Sequence, residues 1–348
     1  MDRQPSSQCF AHTAHGGIKR PSSPRVTPWV VAGVALTIVF GVGSFSIAQE
    51  DVEPQAAIMA PLATKALTLD VGSADGALVA VGARGHILVS SDDGATWQQS
   101  QSPTRAGLTA VYFLDRNIGW AVGHDSAILR TTDGGVTWDL VNWAPEDEAP
   151  FFDVWFSDAE NGFAIGAYGS FYVTTDGGMT WSFEPVGDDD FHLHEIARAA
   201  DGRLYMAAEA GMVYRSDDAG ATWNELSSPY EGSFFGVLPL DDDAVLIFGL
   251  RGHLFRSDNA GESWSEIETG TVAILTNGVR LSDGTIMISG LGGAVLVSDD
   301  NGHTFELFQQ SNRRGISAVV ETQDGSLLLV GDFGVRTMSF SELAPVSD

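Results

Sequence analysis

The sequence holds one cysteine, Cys9, in 348 residues, so no disulfide can form within the chain. Basic residues are scarce as well: 18 Lys and Arg stand against 46 Asp and Glu, a formal net charge of −28. Without residues 1–48 the balance is 14 basic against 45 acidic residues. A surface with that field repels phosphate backbones, which argues against nucleic acid as a partner, and it disfavours docking on anionic lipid through a basic patch. Tyrosine is rare, with 6 in the chain. Charged residues make up only 18% and hydrophobic ones 44%, a balance that excludes a disordered chain.

Long apolar runs are absent except for one. Residues 29–48, Trp29 to Ala48, carry no charge. Twenty residues at about 1.5 Å each match a hydrocarbon core of roughly 30 Å. Lys19, Arg20 and Arg25 precede the run and Glu50 and Asp51 follow it. The positive-inside rule therefore places residues 1–28 in the cytoplasm and the rest of the chain on the exported side of the inner membrane. The alternative is a cleaved signal sequence ending near Ala48, because Ser46-Ile47-Ala48 is a small-x-small site. Residues 49–54 read as a linker.

What the sequence has in abundance is repetition. Six octapeptides start at Ser90, Thr131, Thr174, Ser216, Ser257 and Ser298, and five of them end in Trp and the last in Phe305. A second motif runs in phase with them, as in 79–91 (VAVGARGHILVSS) and 120–132 (WAVGHDSAILRTT), and has seven copies, the last at 328–340. A period of 41–43 residues with turn signals between short strands predicts propeller blades of four strands each. The expected fold is all-β, one seven-bladed propeller over residues 55–340, with 341–348 as a tail. In the second copy the strands are expected at 108–114, 119–123, 127–131 and 137–141. Asp75-Gly76, Asn161-Gly162, Asp201-Gly202, Asp283-Gly284 and Asp324-Gly325 mark the first hairpin of five copies. The seventh copy has no fourth strand after Phe340. Residues 55–61 precede the first strand as 97–103 precede the second copy, so they are expected to complete the last blade.

The pattern Ser/Thr-x-Asp/Asn-x-Gly-x-Thr/Ser-Trp/Phe is identified as the Asp box, or BNR repeat, of sialidase-like propellers. Among Asp-box proteins the chain most resembles the photosystem II assembly and stability factor family, over residues 55–340. That resemblance implies an exported, non-catalytic propeller that binds a membrane protein or a subunit of a membrane complex during assembly. The competing class is a glycan-binding or glycan-hydrolysing propeller.

In each box the hydroxyl and carboxylate can hydrogen-bond turn amides, the glycine supplies positive φ, and the aromatic packs between blades. The structural residues expected are Asp92, Gly94, Trp97, Asp133, Gly135, Trp138, Asp176, Gly178, Trp181, Asp218, Gly220, Trp223, Asn259, Gly261, Trp264, Asp300, Gly302 and Phe305. The spacing lacks the ligand pattern of a calcium loop, and no cofactor motif is present. A sialidase needs an arginine triad and a Tyr–Glu nucleophile pair; neither is recognisable, so no catalytic residue is assigned. His192 and His194 fall on one side of a strand, where a metal pair is geometrically feasible, but lining the pore or packing between blades is the simpler role and no metal ligand is assigned.

Four-stranded blades send their D–A and B–C loops to the face opposite the Asp boxes. Lys65, Arg84, Arg105, Arg313 and Arg314 fall on such loops in blades 7, 1 and 2, and form the expected partner-binding sector. Glu146-Asp147-Glu148 and Asp188-Asp189-Asp190 form an acidic sector beside it, with Trp143, Phe151, Phe152 and Phe191 as candidate anchors.

Overall fold

The computed structural model describes residues 53–74, 76–187 and 189–342. The expected cytoplasmic segment, the apolar run 29–48 and most of the tail lie outside the described residues. Among the described residues no helix is long and apolar enough to cross a membrane.

Seven antiparallel sheets follow one another along the chain, six of four strands and the last of three. Strands are lettered A to D from the centre outward. Blade 2 comprises 2A (Leu108–Phe113), 2B (Gly119–Gly123), 2C (Ile128–Thr131) and 2D (Asp139–Asn142), within two residues of the expected boundaries. Strand B is buried along its whole length in blade 2 because blades pack on both of its faces, which is why it reads as a continuous apolar run. Gly123 ends it because a Cβ there would collide with the carbonyl of Gly107.

Seven apolar clusters hold the ring, one at each boundary between blades. Trp138 joins Val79 and Val81 of blade 1 to Ala121 and Leu129 of blade 2. Trp120 and Phe156 lie between blades 2 and 3, with ring centroids 3.4 Å apart. Leu328, Val330 and Val335 of blade 7 meet Val71, Leu78 and Leu88 of blade 1, so apolar packing closes the ring. The Gln323 amide also donates to Asp93 Oδ2 at 2.8 Å across this boundary.

Closure differs from the expectation in one respect. Residues 55–61 do not form the fourth strand of blade 7; they run along 1D (Gln98–Ser100) instead. The Ala57 amide donates to Ser102 O at 2.9 Å, and the Ala60 amide to Gln99 Oε1 at 2.8 Å. Gln99 and Gln101 donate in turn to Ile58 O and Ala57 O. The cause is local: each glutamine amide offers both a donor and an acceptor, so two side chains satisfy a backbone that has a single ladder bond. The following turn, Ala63–Lys65, packs its backbone on Gly334 at the start of 7C (Gly334–Met338). A second correction concerns Asn161-Gly162: Gly162 opens strand 3B (Gly162–Gly166), and the turn is made upstream, where Asp158 Oδ1 accepts the amides of Glu160 and Asn161.

Candidate functional site: two faces and a central channel

The Asp boxes form one face, and each repeats a single hydrogen-bond pattern. In the third, Thr174 Oγ1 donates to Asp176 Oδ1 (2.8 Å) and accepts from the Gly178 amide (2.9 Å). The Thr180 amide and hydroxyl then donate to Oδ1 and Oδ2 of Asp176. The same bonds recur around Asp92, Asp133, Asp218 and Asp300, and Asn259 takes the position with Ser257 and Ser263. Donation from the Thr180 hydroxyl, above all, holds the Asp176 carboxyl down at about 2. Gly94, Gly135, Gly178, Gly220, Gly261 and Gly302 have φ between 83° and 91°. The indoles of Trp97, Trp138 and Trp181 donate to their own box glycine, whereas the buried Nε1 atoms of Trp223 and Trp264 have no partner. All six box aromatics pack against inter-blade clusters. The carboxylates are consumed by the turns that carry them.

The opposite face carries the five expected basic residues, all exposed. They lie along a chain of loop contacts. The B–C loop of blade 1 holds Arg84 in the left-handed region (φ 62°), and its Gly85 abuts the backbone of Thr104 and Arg105. The B–C loop of blade 7 abuts Thr64 and Lys65 through Gly334, and its Phe333 ring lies 5.9 Å from the Arg314 guanidinium. Arg313 precedes Arg314, also with positive φ (51°). Asp332 sits within the sector and accepts the Gly315 amide at 2.9 Å. Elsewhere Arg203, Arg215, Arg256 and Arg280 each hold a carboxylate. Among the described residues, none of the five sector cations is in an ion pair. Arg105 instead donates to Ala56 O at 3.0 Å. Arg251 is a further exposed cation on a B–C loop of this face, in the same left-handed conformation, that the sequence reading did not include.

The acidic sector is there, with Glu146 and Asp147 on a turn at 145–147 and Asp189 and Asp190 exposed; Asp188 lies outside the described residues. Its expected anchors change role. Phe151 is 1% exposed, edge-on to Tyr172 within the core, and Trp143 packs against the cluster between blades 1 and 2. Strand alternation explains Phe151: it faces the neighbouring blade, and Phe152, next to it, lines the central channel.

The acidic lining of that channel was not anticipated. Every A strand shifts register by one residue near its start, as between Leu108 and Ala110. The bulge turns two consecutive side chains toward the centre. The lining includes Asp70, Asp153, Glu195 and Asn277, each at the same position of its blade. Each bridges to the next blade's A strand by accepting a backbone amide: Val111, Ile196, Val237 and Val319 respectively, at 2.8–3.1 Å. Burial pushes the Asp153 carboxyl up to about 7, with nearby Asp70 adding to the effect. Burial, then the charge on Asp153, raises Glu195 well above the usual range. Polar residues at one phase of otherwise apolar strands were the available signal. The lining contains no arginine and no tyrosine.

His192 and His194 flank Phe152 at the channel mouth, with their ring centroids 6.4 Å apart. His194 Nδ1 is 2.8 Å from Phe234 O, and His192 pairs with Glu209 at 3.9 Å. Among the described residues no three His, Cys, Asp or Glu side chains converge closely enough to hold a metal.

Comparison with known proteins agrees with this architecture. A stretch of 138 residues is 38% identical to the photosystem II assembly lipoprotein Ycf48 of Prochlorococcus marinus, spanning 39% of this chain and 41% of that protein. A stretch of 43 residues is 42% identical to the photosystem II assembly protein Ycf48 of Thermosynechococcus vestitus, 12% of each chain. The aligned stretches thus span less than half the length of these relatives. The solved structure of YCF48 bound to a D1 peptide superposes with a TM-score of 0.63 at 20% identity, over 86% of this chain and 98% of that one, which supports the seven-bladed fold. The profile of the family described as photosynthesis system II assembly factor YCF48 matches residues 89–151 and 142–342, most of the propeller, and the chain belongs to that family.

Proposed function

We propose that this protein is an exported, membrane-tethered and non-catalytic propeller that holds a subunit of a membrane complex, a photosystem II subunit where the host has that complex, during its assembly. The single observation that carries the reading is the family match across the repeats. The tether would be the apolar run 29–48, with the propeller on the exported side of the inner membrane. The partner would meet the D–A/B–C face at Lys65, Arg84, Arg105, Arg313 and Arg314. These cations are exposed and carry no ion pair among the described residues. Arginine can bind a carboxylate through two parallel hydrogen bonds, and a positive sector on a strongly negative protein fixes the orientation of approach.

The test is affinity purification of the tagged full chain from detergent-solubilised host membranes. The reading expects one membrane-complex subunit enriched over an unrelated propeller; enrichment of none contradicts it. Turnover of a fluorogenic sialoside that disappears in Glu195→Gln would contradict the non-catalytic reading.

A further inference from the structure

Six blades end in a fourth strand and blade 7 does not: among the described residues nothing pairs with the outer edge of 7C. The position held by Arg336 in 7C is occupied in the complete blades by Leu88, Leu129, Tyr172, Tyr214, Phe255 and Leu296, each covered by or packed beside its fourth strand. Arg336 and Thr337 are exposed.

Clefts flank this edge on both sides. Toward blade 1 the walls are Thr64, Lys65, Trp97, Val335, Arg336 and Thr337, and that lining contains two cations and no carboxylate. In a chain with 46 acidic residues against 18 basic ones, a carboxylate-free lining is a local reversal of sign. Glu342 reaches Arg336 at 3.8 Å and also accepts the Ser339 amide at 2.9 Å, and among the described residues Lys65 is in no ion pair. Toward blade 6 a second cleft sets Val297, Phe305, Phe308 and Phe340 among Thr285, Asp299, Thr304 and Glu306, and Met338 of 7C packs in the same cluster as Val297 and Phe308.

An unpaired strand edge between two clefts matches the way an extended peptide is bound: the backbone extends the sheet while alternate side chains enter opposite clefts. We propose that 7C is a docking edge for an extended segment of the partner, one that carries a carboxylate on the side facing Lys65 and Arg336 and an apolar side chain on the side facing Phe308 and Phe340. The occupant's chemistry follows from the charge of the first cleft and the aromatic walls of the second. Lys65 also belongs to the basic sector, so a strand in this slot is continuous with the docking face. This inference rests on the proposed scaffold function and adds a mode of capture to it.

The experiment uses the full chain and a fluorescein-labelled hexapeptide of alternating valine and glutamate. Fluorescence anisotropy reads affinity, and hydrogen exchange locates the site. The expected result is saturable binding that slows exchange at residues 335–338. Lys65→Glu with Arg336→Glu should weaken it at least tenfold at an unchanged melting temperature, and a valine–lysine peptide should not bind. The proposal is overturned if the charge reversals leave affinity unchanged or protection appears elsewhere. It is equally overturned if residues 335–338 of the free protein exchange as slowly as Ile87–Ser90 of 1C, because the chain's own terminal residues or a second copy would then already cover the edge. Loss of partner capture in Arg105→Glu with Arg313→Glu, together with no peptide protection at 7C, would leave the scaffold reading standing and remove this one.

Discussion

Glu195 of blade 4 accepts the Val237 amide of blade 5 through Oε2 at 2.8 Å, across the central channel wall. Asp153 does the same to Ile196, and Asp70 to Val111. Three acidic side chains thus act as staples between blades in a channel that holds no lysine or arginine among its lining residues.

The staples make stability depend on pH. A carboxyl whose folded pKa is raised contributes stability that is fully present below its unfolded value, near 4, and lost as pH rises through the folded value. Asp153, at about 7, sets that window. The melting temperature should therefore fall between about pH 4 and pH 7 and level off above that. Asp153→Asn, which keeps an acceptor for the Ile196 amide, should flatten the fall. An unchanged slope between pH 4 and pH 7 in that variant would show that Asp153 is not its source.

The Asp boxes act in the opposite direction. Asp176 is held at about 2, so its contribution is present above about pH 4 and lost as pH falls toward 2. Asp176→Asn should consequently start from a lower melting temperature above pH 4 and lose less of it between pH 4 and pH 2. Calorimetry between pH 2 and pH 5 measures both.

Two core substitutions separate packing from backbone conformation. Trp120 is fully buried, stacks on Phe156 and donates to Gly177 O at 3.0 Å. Trp120→Ala should cost about 3–5 kcal/mol. Gly220 has φ 91°, and a Cβ there would strike the Phe163 ring. Gly220→Ala should cost about 2–3 kcal/mol through strain and overpacking. Urea unfolding at neutral pH gives both values.

Closure by apolar packing predicts that residues 49–60 are dispensable. Among the described residues, deleting them removes the backbone bonds from Ala57 to Ser102 O and from Ala63 to Ala60 O and a few side-chain bonds along 1D. The truncated protein should stay soluble and melt within a few degrees of the parent. Leu328→Ala, in the core that joins blades 7 and 1, should cost about 2–5 kcal/mol. Aggregation of the truncation alone would restore a closing role for the segment.

The repeat made the blades legible because each one needs the same turn: Asp176 and Gly178 are visible at a fixed phase whatever surrounds them. Blade 2's strands could be placed within two residues for the same reason. The path of residues 55–61 was not legible, because spacing to Pro61 matches spacing to Pro103 whether the segment pairs with 7C or 1D. The choice rests on Gln99 and Gln101, whose side chains belong to another strand. The basic sector was readable from topology alone. Phe151 was misjudged because a one-residue bulge decides whether it or Phe152 faces the core.

The central claim, that a membrane-complex subunit docks on the basic sector, is tested most directly by capture on immobilised protein from 50 to 500 mM salt. The proteins compared are the parent, Arg105→Glu with Arg313→Glu, and Arg116→Glu, an exposed residue of the turn between 2A and 2B on the Asp-box face. The account predicts that the double variant captures at least tenfold less at low salt and loses most of the salt dependence, with an unchanged melting temperature, while Arg116→Glu behaves as the parent. Capture that survives the double reversal and fails in Arg116→Glu would contradict it.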